Sequence, residues 1–252
     1  MKNKYNIENY LKHQLIFPID KIYLKYYNGI TYMKKKPFVT LSYAQSIDGR
    51  IATVTGESQW ISGDETLQLA QRLRSIHDGI LIGVGTVLRD DPELSCRIPN
   101  ARSPVRIILD SKLSIPIDSK IVKTADRYKT FVLTTDKAPG KKIKILREQK
   151  LKITVLENDS KGYIDLRKAL NYLVRMGLEN VLVEGGSKVI TSFLSGDHVS
   201  KLVIVTAPII IGEGIPAVGD LGVRNLNDAL KLKGAGVKKM GRDIVWELFI
   251  DP

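Results

Sequence analysis

The chain has 252 residues, 43% hydrophobic and 26% charged, enough to bury a full core in one large domain or two small ones. A single cysteine, Cys96, excludes an internal disulfide and a cysteine-rich zinc site, and His13, His77 and His198 lack ligand spacing, so no metal is expected. No apolar run approaches the roughly 18 residues of a membrane span and no signal-peptide core opens the chain, so a cytoplasmic protein is expected.

Half of the net charge of +12 falls in residues 1–36, which hold eight lysines against Glu8 and Asp20, together with six of the ten tyrosines. This basic, tyrosine-rich extension suits either an arm packed on the domain or an arm that binds nucleic acid. Asn6 to Leu15 reads as a short helix, and Lys34-Lys35-Lys36 before Pro37 marks a boundary. One α/β domain is expected from residue 37 to 252.

Strand and helix signals then alternate. Phe38 to Ala44 and Ile51 to Val54 read as strands around an Asp48-Gly49 turn. Ser62-Gly63-Asp64-Glu65 has the form of a capping box opening a helix to about His77, with Leu67, Ala70, Leu73 and Ile76 on its buried face. Gly79 to Gly83, Val105 to Leu109, Thr130 to Thr134 and Lys152 to Leu156 read as strands. Asp165 caps a helix that buries Leu166, Leu170, Leu173 and Val174 and stops at Gly177. The Val181 strand, the Ser187 helix and the strand Lys201–Thr206 form a βαβ unit, and Ile244 to Ile250 is a last strand, antiparallel in this reading. Such alternation implies a mostly parallel sheet.

Within this frame, Gly185-Gly186 separates the apolar run Val181-Leu182-Val183-Glu184 from the Ser187 helix. A glycine turn between strand and helix lets a ligand approach the backbone and aims N–H groups at a phosphate, and Glu184 stands at the strand's C-terminal end, where open α/β sheets keep their crevice. Four further clusters carry polar chemistry: Ala44-Gln45-Ser46-Ile47-Asp48-Gly49-Arg50; Glu57-Ser58-Gln59-Trp60; Gly83-Val84-Gly85-Thr86-Val87-Leu88-Arg89-Asp90-Asp91-Pro92 with Arg97 beyond; and Arg74 on the polar side of the first long helix. Each has an ordinary structural explanation: Asp48-Gly49 as a hairpin turn, Trp60 as core, Asp90-Asp91-Pro92 as a solvated turn, Arg74 as an exposed helix charge.

In this order and spacing the string Gly83-x-Gly85-Thr86-Val87-Leu88-x-Asp90-Asp91-Pro92 and the Val183-Glu184-Gly185-Gly186 turn resemble the reductase family of riboflavin biosynthesis, over residues 38 to about 250. The resemblance implies a dihydrofolate-reductase-like α/β fold with helices on both faces of the sheet, NADPH as cofactor and a homodimer. It further implies cofactor contacts at Ala44, Trp60, Thr86, Asp90, Ser111, Gly185, Gly186 and Ser187. Substrate contacts are implied at Ser58, Arg74, Leu94, Arg97 and Glu184, with Arg74, Arg97 and Ser58 suited to a 5′-phosphate. Asp48 and Glu184 are the candidate catalytic carboxylates, without a firm choice of general acid.

The implied reaction is reduction of the ribose of 2,5-diamino-6-ribosylamino-4(3H)-pyrimidinone 5′-phosphate to a ribityl chain. The sequence has no zinc-deaminase motif of the His-x-Glu and Pro-Cys-x-x-Cys type, so reduction without deamination is expected. Ser42 stands where bacterial bifunctional members tend to carry lysine, whereas Glu57-Ser58-Gln59-Trp60 is similar to those members. The deaminated 5-amino-6-(5-phosphoribosylamino)uracil therefore stays open as substrate, and nucleic-acid binding through the arm stays open as a reading from another class.

Overall fold

The β-branched and leucine-rich runs of the sequence become the strands of one sheet. The computed structural model describes residues 36–250. The expected Asn6–Leu15 helix and, apart from Lys36, the basic extension lie outside the described residues, and with them the basis of the nucleic-acid reading.

The strands are β1 (Phe38–Ser46), β2 (Arg50–Thr53), β3 (Gly79–Gly83), β4 (Val105–Leu109), β5 (Thr130–Thr134), β6 (Lys152–Val155), β7 (Asn180–Glu184), β8 (Lys201–Ala207), β9 (Gly214–Pro216), β10 (Leu232–Met240) and β11 (Asp243–Ile250). Nine of them form the main sheet in the order β10-β11-β8-β1-β7-β3-β4-β5-β6, and β2 pairs with β9 in a small antiparallel one. Strands β8 through β6 run parallel, while β11 and β10 continue the sheet antiparallel, as expected for β11.

Six helices among the described residues cover this sheet: α1 (Asp64–Ile76), α2 (Val84–Asp90), α3 (Lys120–Lys123), α4 (Gly140–Glu148), α5 (Leu166–Arg175) and α6 (Ser187–Ser195). Side chains alternate across each strand, so the sheet feeds two cores. Leu81, Ile107, Phe131 and Val183 pack with Leu170 and Leu173 of α5 and Phe193 of α6. Ile80, Ile82, Ile108 and Val132 pack on the other side with Leu69 and Leu73 of α1, Val87 of α2, Ile121 of α3 and Leu146 of α4. Both faces are thus helix-covered, as a parallel sheet requires. No helix among the described residues is long and apolar enough to cross a membrane.

Two local expectations change. The N-cap of α1 is Gly63, and no Ser62–Glu65 capping box forms. The buried Asp243 of β11 takes that role from the far end of the chain, accepting from the Gly63 N–H and the Thr66 hydroxyl, both at 2.7 Å. The buried face of α1 is Thr66, Leu69 and Leu73, spaced three and four apart, rather than the strict three of the sequence reading. Leu67 and Ala70 instead border a cleft. Asp165 does cap α5, accepting from Lys168 N–H at 3.1 Å, and Gly177 ends the segment in a left-handed conformation.

His77, between α1 and β3, is a core group. A carbonyl only accepts, so its Nδ1–H donates to Leu73 O (2.7 Å), and Nε2 accepts from the Thr40 hydroxyl (2.9 Å). Burial, reinforced by the charge of Lys201, pushes its pKa down from 6.5 to about 4. The unfolded chain therefore takes up a proton that the fold refuses, and stability falls as pH drops from about 6.5 to about 4. The contribution is about 3 kcal/mol in all, absent above that window and complete below it. Denaturant unfolding across this range should show a shallower pH slope in His77→Gln than in the parent; equal slopes would remove the assignment.

Candidate active site

At the C-terminal ends of the central parallel strands lies a cleft of about 580 Å³. Its floor is Ser42, Tyr43 and Ala44 of β1, Ile82 of β3, Val205 of β8 and the Glu184-Gly185-Gly186 end of β7. Leu67, Ala70, Leu73 and Arg74 of α1 and Thr86, Arg89 and Asp90 of α2 also line it, as do Ser58, Gln59 and Trp60. Such a position follows from sheet topology, because strand-to-helix turns free backbone groups where the ladder stops.

A two-bond ion pair in the cleft joins α1 to β7. Arg74 donates from Nε to Glu184 Oε1 (3.1 Å) and from Nη2 to Oε2 (2.7 Å), and Nη1 points at Ser95 O (3.4 Å). Their side chains are only 16% and 20% exposed. Burial lowers the Arg74 pKa, but the Glu184 charge and hydrogen bonds more than offset this, leaving it above its ordinary value. Arg74 is therefore neither a solvated helix charge nor a free phosphate claw: its fork is committed to a carboxylate.

Of the residues singled out in the sequence, Ala44, Ser58, Trp60, Arg74, Thr86, Asp90, Leu94, Glu184, Gly185 and Gly186 all line this cleft. Four do not. Asp48 is a fastener: its exposed carboxylate accepts from the Ser46 hydroxyl (2.6 Å) and from the N–H groups of Ile211 and Gly212, and the Ser46 bond leads in holding its pKa down at about 2. With both oxygens engaged away from the cleft, it is no candidate acid. Ser111 accepts from Ile164 N–H and joins the loop after β4 to that before α5. Ser187 opens α6 behind Gly186. Arg97 is exposed, its N–H bound to Gln71 Oε1 (2.8 Å); among the described residues no ion pair holds its guanidinium.

Asp90 pairs with Arg89 at 3.1 Å, while Asp91, left-handed at φ 38°, accepts from the first N–H of α3 at 2.8 Å. The Asp90-Asp91-Pro92 string thus splits into one cleft residue and one helix cap. Trp60 is 73% exposed and left-handed at φ 68°, and the buried Leu94 is left-handed at φ 58°. Strained non-glycine backbone costs of order 1 kcal/mol or more and clusters at sites.

Sequence reasoning missed Tyr43 and Arg89 in the cleft, and Arg106 behind it. Burial pushes the Tyr43 phenol up to about 12, so it remains a proton donor. Arg106, fully buried on β4, donates to Thr130, Thr124 and the carbonyls of Glu93, Ile121 and Tyr128, which fixes the chain just before Leu94. A run of apolar residues around one arginine is the only trace of it in the sequence.

With this geometry in place, the comparisons with known proteins become specific. Residues 37–246 match the RibD C-terminal domain model. The chain is 37% identical over 213 residues to the riboflavin biosynthesis protein RibD of Aquifex aeolicus, covering 84% of this chain and 57% of that protein. It is 32% identical over 217 residues to the 2,5-diamino-6-ribosylamino-4(3H)-pyrimidinone 5′-phosphate reductase of Methanothermobacter thermautotrophicus, covering 84% of this chain and 97% of that protein. The solved riboflavin biosynthesis reductase of Saccharomyces cerevisiae superposes with a TM-score of 0.68 at 28% identity, over 91% of this chain and 98% of that one.

The chain belongs to the RibD C-terminal domain family. It spans little more than half the length of the RibD proteins it matches.

Because the Trp60 indole is exposed and its backbone strained, Trp60→Gly should change stability by less than about 1 kcal/mol, strain relief offsetting the added freedom of the unfolded chain. Denaturant unfolding checks this, and a loss of more than about 2 kcal/mol would make Trp60 a core residue.

Proposed function

We propose that this chain is an NADPH-dependent reductase converting the ribose of 2,5-diamino-6-ribosylamino-4(3H)-pyrimidinone 5′-phosphate to its ribityl form. The observation that carries the reading is the convergence, in one cleft, of the Arg74–Glu184 pair, the Gly185-Gly186 turn and Trp60 from separate segments. It rests also on the archaeal relative, which is named as a reductase of this pyrimidinone and whose length the chain nearly spans.

The residues present fit a nucleotide cofactor. No side chain caps the N-terminus of α6, and a Cβ built on Gly186 meets nothing nearer than Arg89 Nη2 at 3.9 Å, so the turn opens onto free space. Gly185, Gly186, Ser187 and Thr86 would hold the cofactor's phosphates through backbone and hydroxyl donors, with Ala44, Trp60 and Asp90 along its length and Ser111 as an outlying contact. Bound there, NADPH supplies the hydride, and the chain's own task is position and electrostatics.

Glu184, oriented by Arg74, keeps lone pairs for the amino and ring N–H groups of a pyrimidine. Arg97 lies three residues beyond Leu94, within about 10 Å of the cleft along the chain, and its unpaired guanidinium suits the 5′-phosphate beside Ser58. Tyr43, a phenol across the physiological range, offers a proton on the cleft floor. The reading includes a cytoplasmic homodimer of a domain beginning near residue 37.

The second reading is the same reduction on 5-amino-6-(5-phosphoribosylamino)uracil, supported by the likeness of Glu57-Ser58-Gln59-Trp60 to the bifunctional members and by a solved Thermotoga maritima neighbour, 29% identical, whose name includes that uracil reductase. Purified protein with NADPH should oxidise the cofactor faster with the diamino pyrimidinone than with the aminouracil. The reverse order selects the second reading, and oxidation with neither contradicts both. Gly186→Val, whose extended backbone admits valine, should fold like the parent yet bind NADPH at least about tenfold more weakly. Unchanged affinity by calorimetry would take the cofactor off this turn.

A further inference from the structure

We propose that Arg242, in the turn between β10 and β11, is a positioning residue of this site: it holds residues 58–62, which carry Ser58 and Trp60, as one wall of the cleft. Upstream the segment is knotted at Thr53, whose N–H donates to Glu57 O (2.9 Å) and whose hydroxyl accepts from Glu57 N–H (3.2 Å). Downstream it enters α1. Between these points, two hydrogen bonds among the described residues tie residues 58–62 to the rest of the protein, and Arg242 makes both. Its Nη2 donates to Trp60 O at 3.0 Å and to Ile61 O at 3.2 Å. The buried Ile61 side chain is the apolar anchor beside them.

The turn that presents Arg242 is itself fixed. Its next residue, Asp243, is fully buried and caps α1 through Gly63 and Thr66. On the other side Gly241 is left-handed at φ 57°, a conformation that favours glycine, and lies against the Glu65 carboxylate at the start of α1. The hairpin end therefore grips the start of α1 and reaches back two residues to clamp two successive carbonyls, those of Trp60 and Ile61, just after the strained φ of Trp60. A guanidinium suits this task, because one planar group serves two adjacent acceptors with a fixed charge.

Without the clamp, residues 58–62 sample many conformations, and a ligand must order them on binding. The consequence is weaker binding with near-parent turnover at saturation, a split that a general loss of fold does not give. The kinetic arm of the test rests on the reductase reading above, whereas its fluorescence arm does not.

The chain has two tryptophans, so in a Trp246→Phe background Trp60 is the sole emitter. In that background R242A should lower the emission anisotropy of Trp60 and raise its quenching by acrylamide, with far-ultraviolet circular dichroism unchanged. In the otherwise native chain R242A should raise KM for NADPH about tenfold and leave kcat within about twofold, and R242K, which keeps a cation able to reach one carbonyl, should recover part of the loss. Should R242A not fold, R242Q carries the same readouts. Trp60 anisotropy and quenching equal to the parent's overturn the proposal, as does a freed Trp60 with unchanged KM. A parent inactive on both pyrimidines counts against the reductase reading, while the Trp60 signal still decides whether Arg242 holds the segment.

Discussion

Everything in this molecule follows from a parallel sheet that must be buried on both faces. Strand β1 lies between β7 and β8 and is parallel to both, so its backbone groups are spent in ladders and its side chains in two cores. Unpaired backbone in such an interior is costly, so chemistry is confined to the edge where strands give way to helices. Strands β1, β3 and β7 all end at that edge, and each brings a different resource: the Ser42–Ala44 floor, the turn into α2 with Thr86 and Asp90, and Glu184 with its glycine pair.

The Arg74–Glu184 bond turns this edge into a defined site. It links the helix layer to the sheet across 110 residues of sequence, and two parallel hydrogen bonds fix orientation as well as distance. Removing either partner alone leaves a largely buried charge without compensation, an arrangement far more costly than the pair itself. The pairing also divides labour among the basic residues. With Arg74 bound to Glu184, its fork is not free for another anion, whereas Arg97 is exposed and, among the described residues, in no ion pair.

What the sequence made legible, and what it did not, divides along physical lines. Strands β3, β4, β5 and β7 announce themselves as short apolar runs, and α5 is marked by Asp165 at one end and Gly177 at the other. Helix α2 is hidden because Val84, Gly85, Thr86 and Val87 are poor helix formers, and a single buried residue, Val87, fixes it from the tertiary side. Helix α4 buries only Leu146 among lysines, and β10 is a lysine- and glycine-bearing edge strand, a composition that discourages pairing with other chains but hides the strand.

The same divide runs through the site. The glycine turn, Glu184, Trp60 and Thr86 were readable because local motifs carry them. The partner of Arg74, the capping of α1 by Asp243 and the hold of Arg242 on Trp60 were not, since each joins residues more than a hundred positions apart. Asp48 was misjudged for the converse reason. A carboxylate beside a turn looks available in sequence, and only the fold reveals that the loop at Ile211 and Gly212 consumes it.

The central claim is that this cleft passes a hydride from NADPH to the sugar carbon of a ribosylamino pyrimidine. NADPH carrying deuterium at the reactive nicotinamide carbon, turned over with the diamino pyrimidinone, tests it directly through the position of the label in the product. The account predicts deuterium on C1′ of the ribityl chain. Product with no label at C1′, or label on the pyrimidine ring, would contradict it.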